Sequence, residues 1–565
     1  MASNNYSDYI RNALKDAGIE VSDIQERSFP GERWIIVYVP EDALLAAQSL
    51  SGTIEREVNA ADSSGDSPFT VAFRARPEKE KPVVSDARRG RLSDPKFDQL
   101  IQLLEARSRT SDALPSLKYV EDPRASLAAI AASRHQFIYG RRGVGKTALL
   151  LEAKRLAERQ GDVTVWMNAH TFRNLSASIA FLHIVSSVLA ALAKRGGSSE
   201  ADAFGQVREK RDYIAKLLAV NPDDGDNVVD PLVTDLNTVL RGILRPEILR
   251  LNIYIDDFYF FPMAEQPPLL DYVFAMLRDC DGWLKVASIE RLTRPFEPSS
   301  RIGLEIPHDA SMIDLDITLE FANAAQHFLE DILSNYTNAA TVGRPSRIAK
   351  SEALGRLVLA SGGVPRDYLN LFASSIVTAR EARKQPRQVG REDVAVAAGR
   401  AKRGKKRDLE VDAAQASNSL LAALENLTSI VRGKGYTYFR VNIAQKSTPG
   451  YEALAQLADL RFVHLIQAVL SDQHRGGTRY EVYMLDLSEY TDVRMKRGLE
   501  VLDLEDGQWS SRLTGTAKTG QKLTGTKFRD RLRQSPLVNM ADLENKDEPE
   551  SEDESDSLDE ILRDL

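Results

Sequence analysis

The chain is almost without cysteine. Cys280 stands alone among 565 residues, which rules out an intramolecular disulfide framework and suits a reducing, cytoplasmic setting. Nor is there a secretory pattern at the N-terminus, since "MASNNYSDYI" lacks both a basic start and an apolar stretch. Long hydrophobic runs are missing too. The most apolar one, "SIAFLHIVSSVLAALA" (178–193), is broken by His183 and several serines, is short for a membrane span, and reads as a buried helix. No membrane partner is expected. No period of 20 to 50 residues recurs, so a repeat array is excluded. An excess of basic charge is absent as well: the net is −8. That figure hides an uneven distribution, because residues 541–565 carry twelve acids against two bases. Their −10 leaves the rest of the chain at +2, a nearly balanced body with basic patches.

What is present indicates several soluble domains, since 43% hydrophobic and 28% charged residues over this length exceed what one core would need. Residues 1–76 read as a small α/β unit, with helical spacing in "SDYIRNALKDAGI" and "EDALLAAQSL" and strands at "RWIIVYVP" and "FTVAFRA". The charged, aperiodic stretch to residue 96 reads as a linker, and a large block runs from 97 to 400. "GRAKRGKKR" (399–407) puts six bases in nine residues. Between about 412 and 490 helices give way to a strand pair, "RFVHLIQAVL" and "RYEVYMLDL", joined at Gly476 and Gly477. Beyond 505 the composition is polar and basic, and the acidic end is expected to be disordered until bound.

The chemistry is concentrated in "FIYGRRGVGKTALLLEA" (137–153). Gly140, Gly145, Lys146 and Thr147 fit G-x-x-x-x-G-K-[ST] between a strand and a helix. Phosphate oxygens need several backbone N–H groups converging on a curved chain, which Cβ atoms would obstruct, and a helix N-terminus adds its positive end. The expected cradle runs from Gly140 through Arg141, Arg142, Gly143, Val144 and Gly145 to Ala148. Lys146 would reach the β- and γ-phosphates of ATP, and Thr147 would ligate Mg²⁺. A second buried strand, "LNIYIDDF" (251–258), ends in two carboxylates: Asp256 would hold the metal, and Asp257 would orient or deprotonate water. At the end of "WLKVASIE" (283–290), Ser288 or Glu290 would sense the γ-phosphate or position water. "SGGVPRDYLNLF" (361–372) delivers Arg366 at a helix start.

Together these stretches resemble AAA+ ATPases of the origin-recognition initiator type, over roughly 115–400 with an extension through 490. "LKYVEDPRASLAAI" is similar to that branch's adenine-side entry and implies Tyr119 and Val120 against the base. "PSSRIGLEIP" implies Arg301, or its neighbours Arg291 and Arg294, as the arginine that completes the site of an adjoining subunit, and Arg366 as the lid sensor. The resemblance implies a P-loop AAA+ α/β core with a parallel sheet (97–305), a helical lid (306–400) and a C-terminal winged-helix domain (408–490). A basic extension (491–540), the acidic tail and the small N-terminal α/β domain surround them. The implied activity is hydrolysis of ATP, with self-assembly into a homo-oligomer in the ATP state. Asp-Asp replaces the family's Asp-Glu. Asp257 is one methylene shorter, a retreat of about 1.5 Å, which favours slow turnover and a switch over a motor. The block 171–245, helical by pattern, reads as an insertion. Asp-Asp and Gly-x-Pro also occur in STAND signalling ATPases, a second reading in which 1–76 is an effector or adaptor module and DNA plays no part.

Double-stranded DNA is the expected partner of the first reading. The third helix of the winged-helix region, "PGYEALAQLADL" (449–460), holds Glu452 and Asp459 and offers base edges only Gln456, unlike a major-groove reader. His474, Arg475 and Arg479 at the wing, with Lys402, Arg403, Lys405 and Lys406, are the expected phosphate contacts. The acidic tail would compete for them, and a protein partner would use the tail or residues 1–76.

Overall fold

The computed structural model describes residues 4–29, 32–40, 43–61, 69–75, 91–107, 119–196, 202–220, 225–245, 249–412, 417–472, 477–491, 497–515 and 520–544. The chain divides into two compact units, Met1–Arg89 and Gly90–Leu565.

In the first unit Asp23–Phe29 pairs antiparallel with Glu32–Val39, which pairs parallel with Phe69–Ala75. The helices Asn4–Asp16 and Ser51–Ala61 bury Ile10, Leu14, Ile54 and Val58 against Ile35, Val37, Val71 and Phe73. The strand Asp23–Phe29 ("DIQERSF") was not expected from sequence. Among its described side chains only Ile24 joins the core, and "DIQERSF" shows no apolar alternation to read.

The second unit is built on a parallel sheet. Its strands are β1 (His135–Tyr139), β2 (Val163–Asn168), β3 (Leu251–Asp256), β4 (Gly282–Ser288) and β5 (Ala310–Asp314), in the order β5-β1-β4-β3-β2. Strands β1 and β3 are buried along their whole length, which is why both read as mostly apolar and not as alternating. Helix α1 (Lys146–Gln160) follows β1 through the glycine loop. This sheet with its loop is the P-loop AAA+ α/β fold. The boundary expected at 305 falls too early. β5 pairs with β1 and completes the sheet, yet its "ASMID" buries only Ala310 and Ile313.

Between β2 and β3 stand α2 (Ala177–Gly196), α3 (Asp202–Val220) and α4 (Gly225–Ile243). By length and composition α2 could cross a membrane, but it packs Phe181, Ile184, Val185, Val188 and Leu189 into the sheet's core. After α5 (Gln266–Leu277) and β5 come α6 (Ala322–Ala339), α7 (Ser351–Ser361), α8 (Pro365–Ala382) and α9 (Arg391–Asp412), the helices of the expected lid. The helix Lys96–Arg107 joins them through Phe97, Leu100 and Leu104, and Leu92 is fully buried with it. Folded structure therefore begins inside the expected linker.

The same core continues into α10 (Ser417–Gly433), β6 (Tyr438–Asn442), α11 (Pro449–Asp459), β7 (Val463–Ser471) and β8 (Arg479–Leu485), whose strands form the antiparallel order β6-β8-β7. Residues 497–515 and 520–544, most of them in the expected basic extension (491–540), are folded. They form β9 (Glu500–Glu505), β10 (Gln508–Leu513), β11 (Gln521–Lys522) and α12 (Gly525–Arg533), and they bury Val501, Leu502, Leu504 and Leu532. Gly355 on α7 makes this possible: a Cβ there would lie 1.8 Å from the Leu504 carbonyl oxygen. The acidic tail beyond 544 lies outside the described residues, as do His474 and Arg475, the residues expected at a wing.

A buried polar cluster ties α9 to the β7–β8 sheet. His464 and Asp486 are each 1% exposed and lie 3.0 Å apart, Nε2 to Oδ2, and Lys405 Nζ donates to the same Asp486 oxygen at 2.6 Å. Burial drives the His464 pKa below its ordinary value, against the pull of Asp486. The unfolded chain thus takes up a proton at His464 near pH 6.5 that the folded chain refuses. This stability is present above that pH and lost as pH falls below it. His464→Leu is expected to flatten the decline in melting temperature between pH 7 and pH 5, removing a slope of up to about 1.4 kcal/mol per pH unit. Thermal scans across that range check it, and identical pH profiles would refute it.

Candidate functional site

The site lies at the carboxyl ends of β1 and β3, where α/β sheets characteristically open a crevice. Gly140, Gly143 and Gly145 all have positive φ, of 153°, 88° and 109°. At Gly143 a Cβ would also meet Arg366 Cβ at 2.9 Å, so turn and close approach both demand glycine there. The loop curls back over Lys146, which is 6% exposed. Its Nζ donates to the carbonyls of Gly140 at 2.7 Å and Arg141 at 3.1 Å. Burial pushes the Lys146 pKa down to about 8, opposed by Asp316, Asp257 and Asp256.

Two carboxylates face this lysine. Thr147 Oγ1 donates to Asp256 Oδ2 at 2.7 Å across 109 positions of sequence. Burial first, then Asp257, raises the Asp256 pKa to about 6. Asp257 has a left-handed backbone, φ 54°, an uncommon conformation for a non-glycine residue, and its own N–H donates to Asp256 Oδ1 at 3.0 Å. Asn168 at the end of β2 donates from Nδ2 to Asp257 Oδ2 at 3.2 Å. Sequence alone does not mark Asn168: its meeting with Asp257 depends on β2 lying beside β3.

A cavity of about 890 Å³ opens over the loop and carries both kinds of wall. Arg142 through Leu149, Asp256, Asp257, Asn168 and Arg366 form the polar wall; Tyr119, Val120, Ile317, Phe328, Ile332 and Leu369 form the apolar one. The donor set fits a nucleoside triphosphate with magnesium. Glycines with no Cβ admit phosphate, Lys146 supplies charge, Thr147 and Asp256 converge as hard oxygen donors, and the apolar wall suits a base.

Not every residue named from sequence joins the cavity. Gly140 contributes its carbonyl to Lys146 instead of lining the wall. Arg141 turns away: its N and Nε donate to Asp316 Oδ1 at 3.1 and 3.0 Å, and Nη2 donates to Gly362 O at 3.1 Å. It braces the loop against the lid turn. Ser288 is fully buried and pairs with Thr293 Oγ1 at 2.5 Å. Glu290 points outward, because the chain leaves the sheet in a short turn after Ser288. Neither lines the cavity. Arg301 is exposed in the turn between Phe296–Glu297 and Ile302–Gly303, with φ 56°. Of its proposed substitutes, Arg291 is held by Asp459 at 2.8 Å and Glu452 at 3.2 Å, and Arg294 pairs with Glu297.

The basic residues also divide. Lys405 is 11% exposed and committed to Asp486, and Lys402 pairs with Glu489 at 2.9 Å; the structure removes both from an open basic surface. Lys406 is half-buried, while Arg403 and Arg479 are exposed. Helix α11 turns its Glu452 and Asp459 to Arg291 and is docked on the core.

No family model and no curated protein matches the sequence. Solved structures with loose likeness include the Aeropyrum pernix ORC1 protein in complex with DNA, at 18% identity over 66% of this chain and 91% of that one, TM-score 0.32. Cdc6p from Pyrobaculum aerophilum shares 14% identity over 69% and 94%, TM-score 0.33. Drosophila ORC bound to DNA shares 12% over 68% and 94%, TM-score 0.27. The fold assignment rests on strand order and loop geometry, not on these likenesses.

Proposed function

We propose that this chain is an ATP-dependent switch that binds the nucleotide with Mg²⁺ in the cavity and hydrolyses it slowly. The observation that carries this reading is the meeting of Lys146, Thr147 and Asp256 at the mouth of the glycine loop. Magnesium, when bound, would supply positive charge that offsets the charge of the phosphates. Thr147 and Asp256 would hold it, Lys146 and the loop N–H groups would hold the phosphates, and Tyr119 and Val120 would border the base. Asp257 orients water, and Asn168 keeps its carboxylate to one side, in keeping with slow turnover. Arg366, packed against Gly143, brings lid charge to the phosphate end.

Self-assembly follows from Arg301, whose exposure suits a site completed by a second copy. DNA would be held electrostatically by Arg403, Arg479 and half-buried Lys406, with little base reading, since α11 presents acids and is docked. Such binding falls steeply with salt.

The test is steady-state ATPase with and without duplex DNA, alongside sizing in ADP and ATP. Asp257→Asn is expected to lower turnover by about 100-fold or more, the range of a lost general base, while ATP binding stays within a few-fold. An undiminished rate would assign the chemistry elsewhere.

A further inference from the structure

A salt bridge connects the lid arginine to the C-terminal domain. Asp367, next to Arg366 on α8, accepts two hydrogen bonds from Arg461 Nη1, at 2.8 and 2.9 Å, across 94 positions of sequence. Arg461 lies just past the end of α11 and is 7% exposed, against 14% for Asp367. Its φ is 65°, a backbone conformation that favours glycine. The left-handed turn that ends α11 there aims the side chain at Asp367, against which it is buried.

The surroundings hold Arg461 in place. Lys405 Nζ donates to the Arg461 carbonyl at 3.1 Å while bonded to Asp486. Asp486 in turn fixes His464, whose Nδ1 lies 2.1 Å from where a Gly362 Cβ would stand. Gly362 is the lid-turn residue whose carbonyl receives Arg141 of the phosphate loop. The C-terminal domain therefore touches the lid on both sides of Arg366, at Gly362 and at Asp367. Between those contacts, the Arg366 N–H donates to Gly143 O at 3.3 Å.

We infer that Arg461 is a positioning residue for Arg366: through Asp367 the C-terminal domain sets where the lid arginine stands over the phosphates, and hence how well the site tells ATP from ADP. The inference rests on the nucleotide-site reading above. By linkage, a ligand of the C-terminal domain that moves Arg461 changes ATP affinity, and ATP changes that ligand's affinity by the same factor.

The experiment measures the affinities of full-length Arg461→Met, Asp367→Asn and Arg366→Ala for fluorescent ATP and ADP analogues. ATP affinity is expected to fall about 10-fold in each, the scale of one charge-assisted contact, with ADP affinity within about twofold. Joining Arg366→Ala to Asp367→Asn should add nothing further, since both act through one arginine. Asp367→Asn keeps the side chain's shape, so it reports even if Arg461→Met does not fold. An unchanged ATP-to-ADP ratio in Asp367→Asn, with a lowered ratio in Arg366→Ala, overturns the inference and spares the site. Nucleotide binding that survives Lys146→Ala would overturn both.

Discussion

Lys146→Ala is expected to weaken ATP binding by about 30-fold to several thousand-fold, the scale for truncating one partner of a buried charge pair. The ammonium sits under the glycine loop at 6% exposure with both loop carbonyls as acceptors. Triphosphate oxygens entering the loop would become its new partners. Alanine supplies neither charge nor donor, and Arg142 is engaged over the Tyr259 ring, 5.1 Å from its centroid. Some stability goes too, about 1–3 kcal/mol, because the Gly140 and Arg141 carbonyls lose a buried donor. Equilibrium binding of a fluorescent ATP analogue, with a melting curve for the fold, decides the matter. An affinity within threefold of the unmodified protein would remove the basis of the proposed function.

Arg356→Ala is expected to cost about 3–5 kcal/mol, the penalty for breaking a buried ion pair by removing one side. Arg356 on α7 is 2% exposed; it donates from Nη2 to Asp503 at 2.7 Å and from Nη1 to Arg391 O at 3.3 Å. Asp503 on β9 also binds Arg512. Burial alone would raise its pKa, but the two guanidiniums outweigh that and hold it below the ordinary value. Truncation leaves a largely buried carboxylate, 18% exposed, with Arg512 as its remaining ion-pair partner. At roughly 2–4 °C per kcal/mol for a large domain, the melting temperature should drop by roughly 6–20 °C. Residues 497–544 should also become sensitive to protease before the core does. An unchanged transition would mean that segment is held by apolar burial alone.

The sequence by itself determined the elements whose signal is local. The glycine loop with Lys146 and Thr147, the apolar strand ending in Asp256 and Asp257, and the Gly-Gly-x-Pro turn before Arg366 are short patterns dictated by backbone curvature and burial on two faces. Tertiary structure decided which charges remain available. Lys405 and Lys402 read as open bases but pair with Asp486 and Glu489, and Arg141 serves Asp316 instead of the cavity. Ser288 closes on Thr293, and residues 497–544, polar by composition, cover the lid through a gap left by Gly355. Arg461 with Asp367, and Asn168 with Asp257, carry no pattern at all. The physical reason is one of range: periodicity and turn chemistry act within a few residues, whereas an ion pair between positions 94 or 147 apart exists only once the intervening chain has packed.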